Sequence, residues 1–209
     1  MCWNATVSLN TFLFSLFGTS FAYFNNVIYT YKYLYLISFI SMQLLEYFTW
    51  KHLNNKKINR LLSQLGLFLI FIQPILFILS IPNVEHNVKT SVILLYILFS
   101  LSCFLYFPIN YSMTKAPNGH LAWNWLNFPP YIVLTWITFK FILLLYAKSY
   151  FRFILYTCLF IAIYYTYYKT NTWGTLWCWI ANLATIIYIA KVFFKSSIPD
   201  YLVINPNSK

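Results

Sequence analysis

The chain is poor in acidic residues, in glycine and in charge of any kind. It carries 3 Asp and Glu against 14 Lys and Arg in 209 residues, and only 4 residues are Gly. Charged residues make up 8 % of the chain, whereas a soluble domain carries about 25 %. A soluble globular domain is excluded, because such a chain would have no polar coat in water. Neither a glycine-rich phosphate loop nor a dinucleotide-binding fingerprint occurs.

The scarcity of acids also argues against enzyme chemistry. The three histidines fall in predicted loops, no Ser-His-Asp set is recognisable, and a second carboxylate for a metal site is missing. Of the four cysteines, Cys2 lies before the predicted spans. The other three fall within spans, show no metal-ligand spacing and are expected to be small core residues: Cys103, Cys158 and Cys178. We predict no catalytic residue and no metal site, and the sequence identifies no cofactor.

What the chain has in abundance is apolar and aromatic surface. Hydrophobic residues make up 61 % and aromatic residues 23 %, and the mean hydropathy is +0.65. The net charge of +11 does not indicate nucleic-acid binding, because the basic residues are spread along the chain, mostly at the ends of apolar runs. Cations in these positions anchor membrane helices and favour anionic headgroups. The predicted partner is therefore a lipid bilayer.

Seven apolar runs are long enough to be candidate membrane spans, which need about 20 residues. We predict an all-α bundle of about seven transmembrane helices in a single domain, residues 1–195, followed by a short polar tail, residues 196–209. The predicted spans are 7–24, 28–50, 61–81, 90–107, 130–147, 150–168 and 173–194. The orientation stays open: the basic loop 51–60 favours a cytoplasmic N-terminus, and the sequon Asn4-Ala-Thr6 favours an exterior one.

Glu46 is the acidic residue that the sequence places inside a span. An ionisable group at that depth is expensive and is a functional-site hypothesis by default. Gln43 and Trp50 share its helix face. Two roles are open: a titratable or cation-binding group in a pathway, or a neutral acid that holds helices together.

Lys140 lies near the middle of the fifth predicted span, where a lysine cannot easily reach the membrane surface. Glu46 is the only carboxylate in any predicted span, so we predict a contact between Glu46 and Lys140, direct or through water. The alternative is that the span is shifted and Lys140 reaches an interface.

Polar residues inside other predicted spans could line one pocket together with Glu46 and Lys140. Gln73-Pro74 lies in the middle of the third span, where proline frees a backbone carbonyl, either as a structural kink or beside a cavity. Asn182 in the last span is expected to hydrogen-bond between helices. If they converge, one buried pocket is formed by Glu46, Gln43, Gln73, Lys140 and Asn182.

Tryptophans near the predicted span ends are expected to form an interfacial belt, because an indole has one apolar and one polar edge. They are Trp50, Trp123, Trp125, Trp173 and Trp177. The segment containing Trp123 and Trp125 is predicted to be interfacial or re-entrant, and the cluster at Trp173 has a second interpretation as a stacking wall for an organic ligand.

Four segments resemble a group of uncharacterised multi-pass membrane proteins encoded by giant DNA viruses and some algae. They are residues 1–12, residues 41–51, Gln73-Pro74 and residues 174–182. The resemblance implies a multi-pass protein of a host or virion membrane and brings no activity, so it assigns no site residue.

The leading hypothesis is a transporter or channel for a small solute or ion, with an oligomer possible. The alternative is a non-catalytic viral or organellar membrane protein with a structural or assembly role. A lipid-modifying enzyme comes third. A retinal photoreceptor is disfavoured, because Lys191 lies too near the end of the last span for a Schiff-base lysine.

Overall fold

Helices occupy the places that the apolar runs predict. The computed structural model describes residues 4–194, apart from the side chains of 176–179 and 181, so the predicted tail 196–209 lies outside the described residues. Within them, the α-helices are α1 Ala5–Phe24, α2 Thr30–Lys51, α3 Lys56–Leu79, α4 His86–Tyr106, α5 Pro130–Tyr146, α6 Tyr150–Tyr167 and α7 Trp173–Phe193. The all-α prediction is confirmed.

Local chemistry explains several helix ends. The side chains of Asn4 and Asn55 accept hydrogen bonds from backbone N–H groups in the first turns of α1 and α3. Pro130 begins α5, where its fixed φ suits a helix and its missing N–H costs nothing. Pro74 lies inside α3, which nevertheless continues to Leu79.

The helices pack around α2. α2 contacts α1, α3 and α7, and α7 also contacts α1 and α6. α5 joins α3 to α6, whereas α4 packs against α3 and α5 and keeps most of its surface exposed. The buried polar residues of α2 therefore face a ring of helices.

Three of the helices are long and apolar enough to cross a membrane: α1, α3 and α4. α5 is apolar but has 17 residues, a length of about 25 Å against an apolar core of about 30 Å. α2 is long enough at 22 residues but carries Lys32 and Glu46, which lower its hydropathy.

A small hairpin caps one end of the bundle. Strand β1, Met113–Lys115, pairs antiparallel with β2, Leu121–Trp123, and a 3-10 turn, Asn124–Leu126, follows. Residues 113–126 are called the hairpin cap here. Asn59 of α3 fixes it through two hydrogen bonds of 2.8 Å: its Nδ2 donates to the Met113 carbonyl, and the Met113 N–H donates to its Oδ1. Thr175 of α7 donates to the Leu121 carbonyl at 2.9 Å.

The hairpin cap is anchored by stacked indoles. The Trp123 and Trp125 rings lie 5.1 Å apart and nearly parallel, and both side chains are buried. They pack on two helical glycines: Gly174 of α7 faces the Trp123 ring, and a Cβ at Gly66 of α3 would lie 2.8 Å from the Trp125 ring. These glycines let both backbones approach the indoles closely.

We predict that Gly66→Ala and Gly174→Ala each lower the melting temperature of the detergent-purified protein. Replacing glycine by alanine favours a helix by about 1 kcal/mol. Here the added methyl group would overlap a rigid indole ring, and such overpacking lowers the free energy of unfolding by about 1–3 kcal/mol. Ser102→Ala on the exposed face of α4 is the control and should change little. A gain in stability from either glycine variant would contradict the packing described.

Candidate functional site

Lys140 is completely buried in a set of aromatic rings. Its ammonium lies 5.1 Å from the ring centroid of Trp136, 5.3 Å from Phe39 and 5.6 Å from Tyr35. Cation–π attraction of this kind contributes about 0.5–2 kcal/mol per ring, more where water is excluded. Two of the rings belong to α2, so Lys140 projects from α5 towards α2 and does not reach an interface.

Glu46 and Gln43 lie on the face of α2 that Lys140 approaches. They follow Phe39 by seven and four residues, and residues at this spacing share a helix face. Both are completely buried. The prediction that Glu46 faces the bundle interior agrees with this burial. Its contact with Lys140 stays a prediction, since about 10 Å of helix rise separates Phe39 from Glu46.

Gln73 is also completely buried, one residue before Pro74 on α3. Neither its amide oxygen nor its amide nitrogen has a hydrogen-bond partner among the described residues. A buried polar group without a partner costs about 1–3 kcal/mol, so packing alone does not favour glutamine at this position.

Asn182 forms a separate polar contact on the other side of the bundle. Its side-chain oxygen accepts a hydrogen bond from Ser15 of α1. One turn further along the same interface, the hydroxyls of Thr19 and Thr185 lie 3.4 Å apart. Asn182 thus joins α7 to α1, as expected of an interhelical asparagine, and its contacts are with Ser15 rather than with the Lys140 group.

A cavity of about 80 Å³ lies between five helices. α2 contributes Lys32, Tyr35, Leu36 and Phe39, and the other walls are Phe77, Phe141, Tyr156, Ile180, Ala184 and Tyr188. It is called the central cavity here. Tyr35 and Phe39 are called the partition here, because both line this cavity and their ring centroids lie 5.6 and 5.3 Å from the ammonium of Lys140, which is not among the lining residues. Glu46 is not among its lining residues.

The predicted interfacial tryptophans occupy different environments. Trp123, Trp125 and Trp173 are buried, and Trp50 is half-buried. The Trp173 ring meets Phe160 and Tyr164 edge to face, at 5.7 and 5.5 Å, so it packs inside the helix bundle. The side chains of Trp177 and Cys178 and the whole of residue Cys2 lie outside what the structure describes.

Two features were not predicted from the sequence. The hairpin cap has a recognisable signal, Asn118-Gly119, a dipeptide that favours tight hairpin turns. His120 follows it, is 7 % exposed, and burial lowers the pKa of its imidazole. The other feature is Lys32 near the start of α2, whose side chain is buried and lines the central cavity.

We predict energetic coupling between Ser15 and Asn182. In a double-mutant cycle with Ser15→Ala and Asn182→Leu, unfolding free energies in detergent should give a coupling of about 0.6 kcal/mol, and at most about 1.7 kcal/mol, the range of interhelical hydrogen bonds in membrane proteins. Pairing Asn182→Leu with Ser102→Ala is the control and should be additive. Additivity of the Ser15 cycle would show that the hydrogen bond contributes nothing.

The Glu46–Lys140 prediction is tested in the same way. Glu46→Gln and Lys140→Met should each lower the melting temperature, because removing one member of a buried charged pair costs about 3–5 kcal/mol. The double variant should lose clearly less than the sum. Glu46→Gln combined with Lys57→Met at an exposed lysine should be additive. If the Glu46–Lys140 combination is no less damaging than the sum, the two residues are not paired.

Comparisons with known proteins assign no function. No protein family, curated protein or solved structure matches this chain. The arrangement of its own residues is therefore the basis for assigning a role: a buried polar layer around Lys140 and a neighbouring cavity with a lysine in its wall.

Proposed function

We propose that the chain is an integral membrane protein of seven spanning helices that moves a small solute or ion. The observation that carries the proposal is the central cavity, which residues of α2, α3, α5, α6 and α7 line, and whose wall residues Tyr35 and Phe39 also contact the buried Lys140. Sites for small molecules are commonly found between the helices of a bundle. In membrane proteins, buried ionisable groups of this kind mark pathways.

The outer surface supports the membrane part of the proposal. Large apolar side chains are strongly exposed on several helices, including Phe17 of α1 at 70 %, Leu105 of α4 at 82 % and Tyr165 of α6 at 87 %. Apolar exposure spread over a whole bundle is unfavourable in water and favourable in lipid. α1, α3 and α4 have the length and hydropathy to cross by themselves. The remaining helices cross as their packing partners.

In this proposal, two polar regions at different depths along α2 have different roles. The central cavity holds the solute, and the partition of Tyr35 and Phe39 separates it from the layer of Lys140, Gln43 and Glu46. Movement of these two rings would connect the central cavity to that layer. The buried amide of Gln73 lies on the neighbouring helix α3, beside Pro74, which removes one backbone hydrogen bond and makes local rearrangement of α3 easier.

A second candidate is a membrane protein with a structural or assembly role, viral or organellar. The observation that favours it is the complete burial of Glu46 together with its absence from the wall of the central cavity. In that case Glu46, Gln43 and Lys140 only hold α2 and α5 together.

Reconstituted flux separates the two candidates. Proteoliposomes should show currents above those of empty vesicles under a gradient of chloride, acetate, potassium, sodium or protons. Glu46→Gln should reduce this current at least about tenfold if the carboxyl group lowers the transport barrier by about 1.4 kcal/mol or more. Lys57→Gln is the control for a change in net charge. Unchanged flux in Glu46→Gln would remove Glu46 from the mechanism, and absence of flux under every gradient would favour the structural role.

A further inference from the structure

Lys32 is a buried cation at the start of α2. Its side chain is 3 % exposed and its ammonium lies 5.4 Å from the centroid of the Tyr188 ring. Among the described residues and side chains, the Tyr188 ring is the one favourable contact of this ammonium, which has neither a hydrogen-bond acceptor nor an ion-pair partner there. A buried charge is tolerated when it is paired and hydrogen-bonded, so Lys32 lacks the compensation that its position requires.

The acidic residues of the described chain do not supply that compensation. Glu46 lies fourteen residues further along α2, a distance of about 21 Å at 1.5 Å per residue. Glu85 is exposed at the start of α4, which packs against α3 and α5. The counter-charge for Lys32 must come from elsewhere.

The neighbours of Lys32 increase the positive potential instead of reducing it. Arg152 of α6 and Lys191 of α7 are close enough for their charges to act on the Lys32 ammonium. Three helices thus bring cations to one end of the bundle. Arg152 also acts electrostatically on the hydroxyls of Tyr156 and Tyr188, which line the central cavity. The charge of Arg152 therefore acts on the cavity wall.

The walls of the central cavity limit what can enter. Tyr35, Tyr156 and Tyr188 bring hydroxyl groups that lie close enough to influence one another, and hydroxyls can donate hydrogen bonds to an anion. The remaining walls are apolar or aromatic. A volume of about 80 Å³ admits a few waters at roughly 10–15 Å³ each. Multiply charged, strongly hydrated ions do not suit a site this small and apolar.

We infer that the central cavity binds a small monovalent anion, a halide or a carboxylate no larger than acetate, with Lys32 as the charged ligand and the tyrosine hydroxyls as further donors. As the substrate class, this inference rests on the proposed function, but binding itself is measurable without transport. The site lies at the end of the bundle opposite the hairpin cap, because α2 begins there and ends beside Met113.

The test is the melting temperature of the purified protein in an uncharged detergent at constant ionic strength, with gluconate replaced stepwise by chloride, bromide or acetate. A ligand that binds only the folded state stabilises it in proportion to the logarithm of its concentration above Kd. The wild type should gain several degrees (~5 °C at about 100 times Kd). Lys32→Gln should lose this dependence, and Lys57→Gln should keep it.

Several outcomes would overturn the inference. One is a wild type that does not respond to anions, and another is a Lys32→Gln variant that responds like the wild type. A response that appears only in Asp200→Asn would mean that the chain's own carboxylate neutralises Lys32. A response to decanoate without one to acetate would assign an amphiphile's carboxylate head instead of a free small anion.

Binding and transport fail in different ways. Anion-dependent stability that requires Lys32, without current in proteoliposomes, would retain the binding site and reject the transporter. Current carried by cations in a protein with no anion-dependent stability would retain the transporter and reject the anion site.

Discussion

Charge compensation in an apolar interior is the constraint on which this structure depends. An isolated ion in a medium of low polarity is disfavoured by many kcal/mol, and proteins pair it, hydrogen-bond it or neutralise it. Here 14 basic residues face 3 acidic ones, and three lysines are buried: Lys32, Lys140 and Lys191. Lys140 is surrounded by aromatic rings and lies on the side of α2 that carries Glu46. Lys32 lies about two turns before Phe39, beside a cavity and two further cations.

The rest of the fold is arranged around these two buried polar regions. α2 contributes Lys32 to one and Glu46 to the other, and it packs against α1, α3 and α7. The α1–α7 interface, with Ser15 and Asn182, is a separate polar seam that fixes α7 against the bundle. The hairpin cap closes the end near Thr49, whose hydroxyl approaches the Met113 sulfur. Apolar surface is left to the outside, where the proposed membrane would cover it.

Hydrophobic runs predicted the helices well, because runs of about 20 apolar residues flanked by polar turns have few other solutions. All seven predicted segments begin and end within several residues of α1 to α7. The burial of Glu46, Gln43, Gln73 and Lys140 also followed from their positions within those runs.

The convergence of side chains from different helices could not be predicted, since the packing angles and rotations of helices are not encoded in hydropathy. Asn182 therefore contacts Ser15, not the Lys140 group, and the cavity that Lys32 lines has no signal in the sequence. The hairpin cap was missed because its strands have three residues each, too few for a periodic signal.

Anomalous diffraction from crystals grown in bromide is the most direct measurement of the central claim that buried cationic charge here is balanced by a bound anion. The account predicts a bromide peak in the central cavity, within hydrogen-bonding distance of the Lys32 ammonium and beside the Tyr188 ring. A map with no bromide in the cavity and Lys32 paired with a carboxylate of the chain would contradict it.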